Sequence, residues 1–271
     1  MEQFLWLIPV GLLIGAFGTL VGAGGGFILT PILLLAYPSE SPQVITSISL
    51  AVVFFNAFSG SVAYARMKRI DYRSGIVFSL ATIPGAVLGA LTVAAIPRRT
   101  FDLIFGLCMI LAGAFLLSRQ GIRDDGQGTM SHGVTRRLRE ADGTYHTFSY
   151  NRNVGVGISM AVGYISSLLG IGGGIIHVPA LVHFLHFPVH IATATSHFTL
   201  SVMALTGTLV HLVTGAFHHG VRRTLALALG VVCGAQLGAR FSRYVQGQWI
   251  MRSLAVALGL VGLRILIMAF A

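Results

Sequence analysis

Charge is scarce in this chain. Only 10% of its 271 residues are Asp, Glu, Lys or Arg, and the 8 acids are outnumbered by 18 basic residues. So little charge cannot cover a soluble protein of this length. The 55% hydrophobic share, gathered into long apolar runs, suits a bilayer instead. Cysteine is nearly absent. Cys108 and Cys233 each lie inside an apolar run and are read as small packing residues, not as a disulfide. No acid falls at the centre of an apolar run, which disfavours an acid-based cation relay. No His-Glu-x-x-His motif is present, which removes a zincin reading. The start, Met1-Glu2-Gln3, lacks the basic region of a cleavable leader, so the first apolar run is expected in the mature protein. The net charge of +10 comes largely from arginines between apolar runs. That pattern reads as positive-inside topology and not as nucleic-acid binding. No cofactor is expected.

Glycine, by contrast, is abundant and patterned. The stretch Gly22-Ala-Gly24-Gly25-Gly26-Phe-Ile-Leu-Thr30-Pro31 recurs as Gly170-Ile-Gly172-Gly173-Gly174-Ile-Ile-His177-Val-Pro179. Three consecutive glycines each cost a helix about 1 kcal/mol relative to alanine, so both apolar runs should break there. Backbone freed by a break inside hydrocarbon must find other partners, and breaks at matching places in two halves point to a transport site.

The register continues outside the motif. Ser49 matches Ser196, Gly60 matches Gly207, and Gly85-xxx-Gly89 matches Gly234-xxx-Gly238, a repeat of about 147 residues and too long for a solenoid. The expected fold is an all-α membrane protein of about eight hydrophobic segments in two homologous halves. Each half opens with a glycine-broken helix-break-helix segment. The first half is 1–118, with helices near 43–65, 75–96 and 101–118. The second is 153–271, with a broken segment at 154–187 and helices near 188–213, 224–242 and 249–269. Between them, 119–152 reads as a solvated cytoplasmic linker with a short helix near 131–141. The segments 4–23 and 27–37 exceed one crossing and fall short of two, at ~20 residues each. A single crossing would make the halves parallel, whereas a re-entrant hairpin would make them inverted. Inversion is favoured, because breaks approaching the midplane from both sides build one shared site. The Gly-xxx-Gly spacings read as helix-packing motifs.

The paired glycine breaks, the Ser-rich helix with Gly60 and the stretch Pro84-Gly85-Ala-Val-Leu-Gly89 resemble the sulfite exporter TauE/SafE family of membrane permeases. The resemblance spans both halves and omits 119–152. It implies a multi-pass protein of the cytoplasmic membrane that transports sulfite, organosulfonates or related anions. His177 stands where the first copy has Leu29, and His197 stands where the first half has Leu50.

The residues agree with an anion. Helix N-termini opening at Gly24, Gly25 and Gly26 and at Gly172, Gly173 and Gly174 carry partial positive charge suited to oxyanions. Hydroxyls of Thr46, Ser47, Ser49, Thr195, Ser196 and Thr199 can donate to sulfonate oxygens. His177 and His197 can bind the anion or carry a coupled proton. The plainer alternative is that the glycines serve tight packing alone. No acidic residue or Cys stands near His183, His186 and His190 in the sequence, so no metal site is assigned. An anion channel could use the same residues. An intramembrane serine enzyme is the remaining class. Ala57-Phe-Ser59-Gly60 nears a Gly-x-Ser-Gly motif but lacks its first glycine, so the chain is read as no enzyme. The expected partners are the small anion and the lipid bilayer, and a homodimer is compatible with this reading.

Overall fold

A computed structural model describes residues 6–118, 133–242 and 247–270. Its described elements in chain order are α1 (Leu7–Val21), α2 (Gly26–Ala36), α3 (Pro42–Arg66), α4 (Tyr72–Thr92), α5 (Arg98–Ser118), β1 (Val134–Arg139), β2 (Tyr145–Tyr150), α6 (Arg152–Leu169), α7 (Gly174–His183), α8 (Val189–Val213), α9 (Val221–Phe241) and α10 (Gly247–Phe270). Among the described residues, four helical stretches are long and apolar enough to cross a membrane: Pro42–Arg66, Tyr72–Ala95, Val189–Val213 and Val221–Phe241. α1, α2 and α7 are shorter apolar helices.

Glycines set the helix directions. A methyl on Gly11 would strike Leu227 O at 2.5 Å and one on Gly15 would strike Val231 O at 2.6 Å, so α1 and α9 run parallel. Gly234 and Gly238 face the α1 carbonyls of Leu12 and Ala16. In the same manner α4 runs parallel to α6, where Gly85 faces Met160 and Gly89 faces Tyr164. Both Gly-xxx-Gly pairs are therefore packing seams. α3 packs antiparallel to α8, and α5 antiparallel to α10. Gly60 of α3 meets His197 of α8 while Gly207 meets Leu50, and in α5 and α10 Gly106 meets Gly262 while Gly113 meets Gly259.

Each broken segment returns to the side from which it enters. The end of α2 and the turn after it are tied to the start of α5, where Arg98 Nη2 donates to Leu34 O at 2.9 Å and Nη1 to Glu40 O at 2.8 Å. Glu40 also takes Arg223 Nη1, at the start of α9, at 2.9 Å. Since α1 starts beside the start of α9, α1 enters and α2 leaves at this one end. The segment α6–α7 does the same at the opposite end. There α6 starts beside the start of α4, and Leu181, Leu185 and Phe187 pack with Phe78 and Tyr150. The broken segments take the re-entrant course.

The region read as a solvated linker differs from that expectation. Residues 134–150 form a β-hairpin, not a helix near 131–141, and residues 119–132 lie outside those described. Val134, Thr135, Tyr145, Thr147 and Phe148 favour strands, and Asp142-Gly143, with Gly143 at φ 96°, turns the chain. The hairpin is docked along one face, while most of β1 stays exposed. Arg136 forks onto Asp71 at 3.0 and 3.1 Å, Tyr150 Oη lies 2.6 Å from Ser74 Oγ, and Phe148 stacks on Phe187 at 4.4 Å. Burial pushes the Tyr150 phenol above its usual pKa, so it acts as a neutral hydrogen-bonding group. Glu140 is buried and shared between Arg69 Nε at 2.6 Å and His146 Nε2 at 2.9 Å. Removing one member of a buried pair strands the other, at about 3–5 kcal/mol. Glu140→Ala is therefore expected to lower the thermal midpoint and expose 134–150 to protease. An unchanged midpoint and cleavage rate would contradict this docking.

Candidate functional site

The two breaks have the same local geometry. Gly22, Gly24 and Gly25 sit at φ 80°, 74° and 77°, and Gly170, Gly172 and Gly173 at 68°, 80° and 66°. L-residues with a Cβ adopt these angles only under strain. The last glycine of each run serves closeness instead. A methyl on Gly26 would lie 2.7 Å from Gly170 O, and one on Gly174 would strike Gly22 O. The N-terminus of α2 thus abuts the second break, and that of α7 abuts the first. All six predicted glycines are buried together where these breaks meet.

The predicted polar residues divide around this contact. Ser49 Oγ donates to Gly170 O at 2.6 Å, and Thr30 Oγ1 reaches the same carbonyl at 2.9 Å. Thr46 packs its Cα against Gly170, but its hydroxyl turns back to Gln43 O at 3.1 Å. Ser47 likewise bonds Val44 O at 2.7 Å. Thr195 faces away from the breaks and accepts from Asp71 N at 3.1 Å. Ser196 holds His177 Nδ1 at 3.3 Å, while Ser159 lies 3.2 Å from His177 Nε2 and Phe78 stacks edge-on at 6.0 Å. His197 Nε2 lies 3.3 Å from Thr19 Oγ1, and Tyr64 stacks edge-on at 5.7 Å. The other ring nitrogen, Nδ1, is buried with no hydrogen-bond partner. Both imidazoles are buried, so each rests in a hydroxyl-lined niche beside the breaks.

Thr19 and Asn56 were not among the predicted site residues, yet they join this shell. Thr19 Oγ1 donates to Asn56 Oδ1 at 2.9 Å, and Tyr64 Oη donates to Thr19 O at 2.8 Å. Asn56 Nδ2 is buried without a partner and would lie 3.3 Å from a methyl on Gly25. Ser166 Oγ is its counterpart at the second break. It too is buried and unpartnered, and would lie 2.6 Å from a methyl on Gly173. Buried donors left unbonded are costly in a dry interior, which marks them as places where a ligand could be received. The buried acids among the described residues, Asp71, Asp102 and Glu140, lie at helix ends or in the hairpin and not at the breaks. Two helix N-termini and unpaired amide and hydroxyl groups therefore converge where no carboxylate opposes an anion.

Residues 7–265 match the family described as sulfite exporter TauE/SafE. The chain is 32% identical over 270 residues to the probable membrane transporter protein YunE of Bacillus subtilis, covering 97% of each chain. It is 24% identical over 281 residues to a probable membrane transporter protein of Methanocaldococcus jannaschii, covering 98% of this chain and 97% of that one. A probable membrane transporter protein of Xylella fastidiosa is 28% identical over 241 residues, with 88% of this chain and 84% of the relative covered. No solved structure matches. The apolar helices and these relatives make the chain a multi-pass membrane transporter and not an enzyme. With the family match over nearly its whole length, the chain belongs to the sulfite exporter TauE/SafE family.

Proposed function

We propose that the protein is a permease that moves a small sulfur-containing anion, such as sulfite or an organosulfonate, across the cytoplasmic membrane by alternating access. Two inverted homologous repeats, 1–118 and 153–271, form the two halves, and 119–152 lies in the cytoplasm. The observation that carries this reading is the meeting of the breaks, where the N-termini of α2 and α7 converge amid unpaired buried donors. Antiparallel packing of α3 on α8 and of α5 on α10 is what a two-fold axis in the membrane plane would produce. Arg66, Lys68, Arg69 and Arg73 share their end of the fold with the arginine-bearing hairpin, which under the positive-inside rule supports a cytoplasmic hairpin. Substrate binds between the breaks through backbone amides, Asn56, Ser166 and His197. Opening one flank at a time exposes that point to alternate sides.

Uptake by purified protein in proteoliposomes tests this, with labelled sulfite and a labelled sulfonate, each with and without a pH gradient. Saturable uptake, competed away by unlabelled sulfur oxyanions, is the expected result. Flux that does not saturate would indicate a channel, and no flux of either anion would remove the substrate assignment. His197→Leu, which installs the residue found at the matching place in the first half, is expected to lower uptake about tenfold through loss of a hydrogen-bonding group at the site. Uptake at the wild-type rate would take His197 out of the site.

A further inference from the structure

A second polar site lies at the hairpin end, apart from the glycine breaks. There the turn of the hairpin, the end of α3 and the end of α9 enclose a crevice of about 280 Å³. Its walls carry three arginines, Arg66 and Arg69 at and just past the end of α3 and Arg240 at the end of α9, together with Gln236. Two carboxylates, Glu140 and Asp142, also line it. Neither acid is uncommitted. Glu140 is divided between Arg69 and His146, and Asp142 Oδ1 accepts Thr144 N at 2.9 Å.

Arg69 is the telling residue. It is 8% exposed, and its Nη1 is buried with no hydrogen-bond partner although Nε is bound to Glu140. An unpaired guanidinium nitrogen in a low-dielectric wall is costly unless a ligand completes it. Arg66 and Arg240 alone would read as ordinary basic residues at helix ends. Together with the buried Arg69, whose Nη1 lacks a partner, they gather positive charge of the kind that receives a planar or tetrahedral oxyanion.

We propose that this crevice binds an oxyanion, either as a free solute or as the phosphate of an anionic lipid headgroup. The crevice reaches Ala63, the neighbour of Tyr64, whose hydroxyl bonds Thr19 O beside the first break. The binding itself does not depend on the transport reading.

The test uses the full chain in phosphatidylcholine nanodiscs, with radiolabelled sulfate in equilibrium dialysis. Wild type is expected to retain sulfate. The double variant Arg66→Gln/Arg240→Gln, altered only at exposed side chains, is expected to bind it about tenfold more weakly or worse. Arg69→Lys, which keeps the charge but loses the fork, should weaken binding as well. Gly174→Ala should retain it, because that change lies at the breaks. In phosphatidylglycerol nanodiscs, displacement of sulfate by the lipid would name the headgroup as the source, and undiminished binding would name the solute. The proposal is overturned if neither disc composition shows oxyanion binding, if the double variant binds like wild type, or if Gly174→Ala abolishes binding. A failure of transport would leave these outcomes unchanged, so the two readings fail separately.

Discussion

Gly174→Ala is expected to reduce transport to about a tenth of wild type or less while the protein still inserts and purifies normally. The position is helical, so the backbone accepts alanine, and the added methyl even favours the helix by about 1 kcal/mol. The difficulty is space. The methyl would strike Gly22 O and stand 2.5 Å from Ala23 Cα and 2.7 Å from a Leu200 methyl. The first two of these are backbone and cannot rotate away. Overpacking a tight contact costs about 1–3 kcal/mol, which would depopulate the state in which the breaks touch by roughly 5- to 150-fold. A carrier that must pass through that state slows accordingly. Gly157→Ala is the control, because nothing lies within 4 Å of the added methyl. It should transport normally. Gly173→Leu adds a backbone conflict at φ 66° and is expected to abolish transport in a protein that remains inserted. Wild-type uptake by well-folded Gly174→Ala and Gly173→Leu proteins would refute the assignment of the breaks to the transport site.

Gly234→Leu should fail earlier, at folding. Gly234 lies on the seam where α9 runs parallel to α1, and its added Cβ would overlap Leu12 O and stand 2.8 Å from Ala16 N. A leucine there needs the two helices to part along their length. The cost is at least about 3 kcal/mol, the upper end for an overpacked interior, and that is a large share of the ~5–15 kcal/mol that holds a typical domain folded. The expected result is loss of the monodisperse peak in detergent size-exclusion chromatography. Val232→Leu, two residues away and 38% exposed, should elute like wild type. Normal elution of Gly234→Leu would show that the α1–α9 seam is not tightly packed. The two glycine changes thus test a contact proposed to move in transport against one needed for folding.

Local chemistry made much of this legible in the chain itself. The breaks could be read because three glycines in an apolar run lower helix propensity wherever they occur, and their φ values are a property of the segment. The helix ends near Pro42, Val189 and Val213 followed from turn residues and the length of the apolar runs. The Gly-xxx-Gly seams were readable as seams, though not which helix each would meet. The hairpin was missed because alternating charge suits a solvated segment as well as a strand. What decides between them is docking onto Asp71, Ser74 and Phe187, which lie outside the segment. Thr19 and Asn56 stood in plain view as polar residues in apolar runs. Their pairing, however, spans 37 positions and needs α1 to lie beside α3.

The sequence alone determined the duplicated apolar segments, the positions of the breaks and the absence of acids near them, because composition and backbone propensity act within a few residues. Only the tertiary structure decided that Gly26 meets Gly170 and Gly174 meets Gly22. It also decided that Ser49 is committed to a carbonyl while Asn56 Nδ2 remains unpaired. Hydrogen bonds and close packing depend on which distant surfaces come together, and periodicity along a chain carries no record of that.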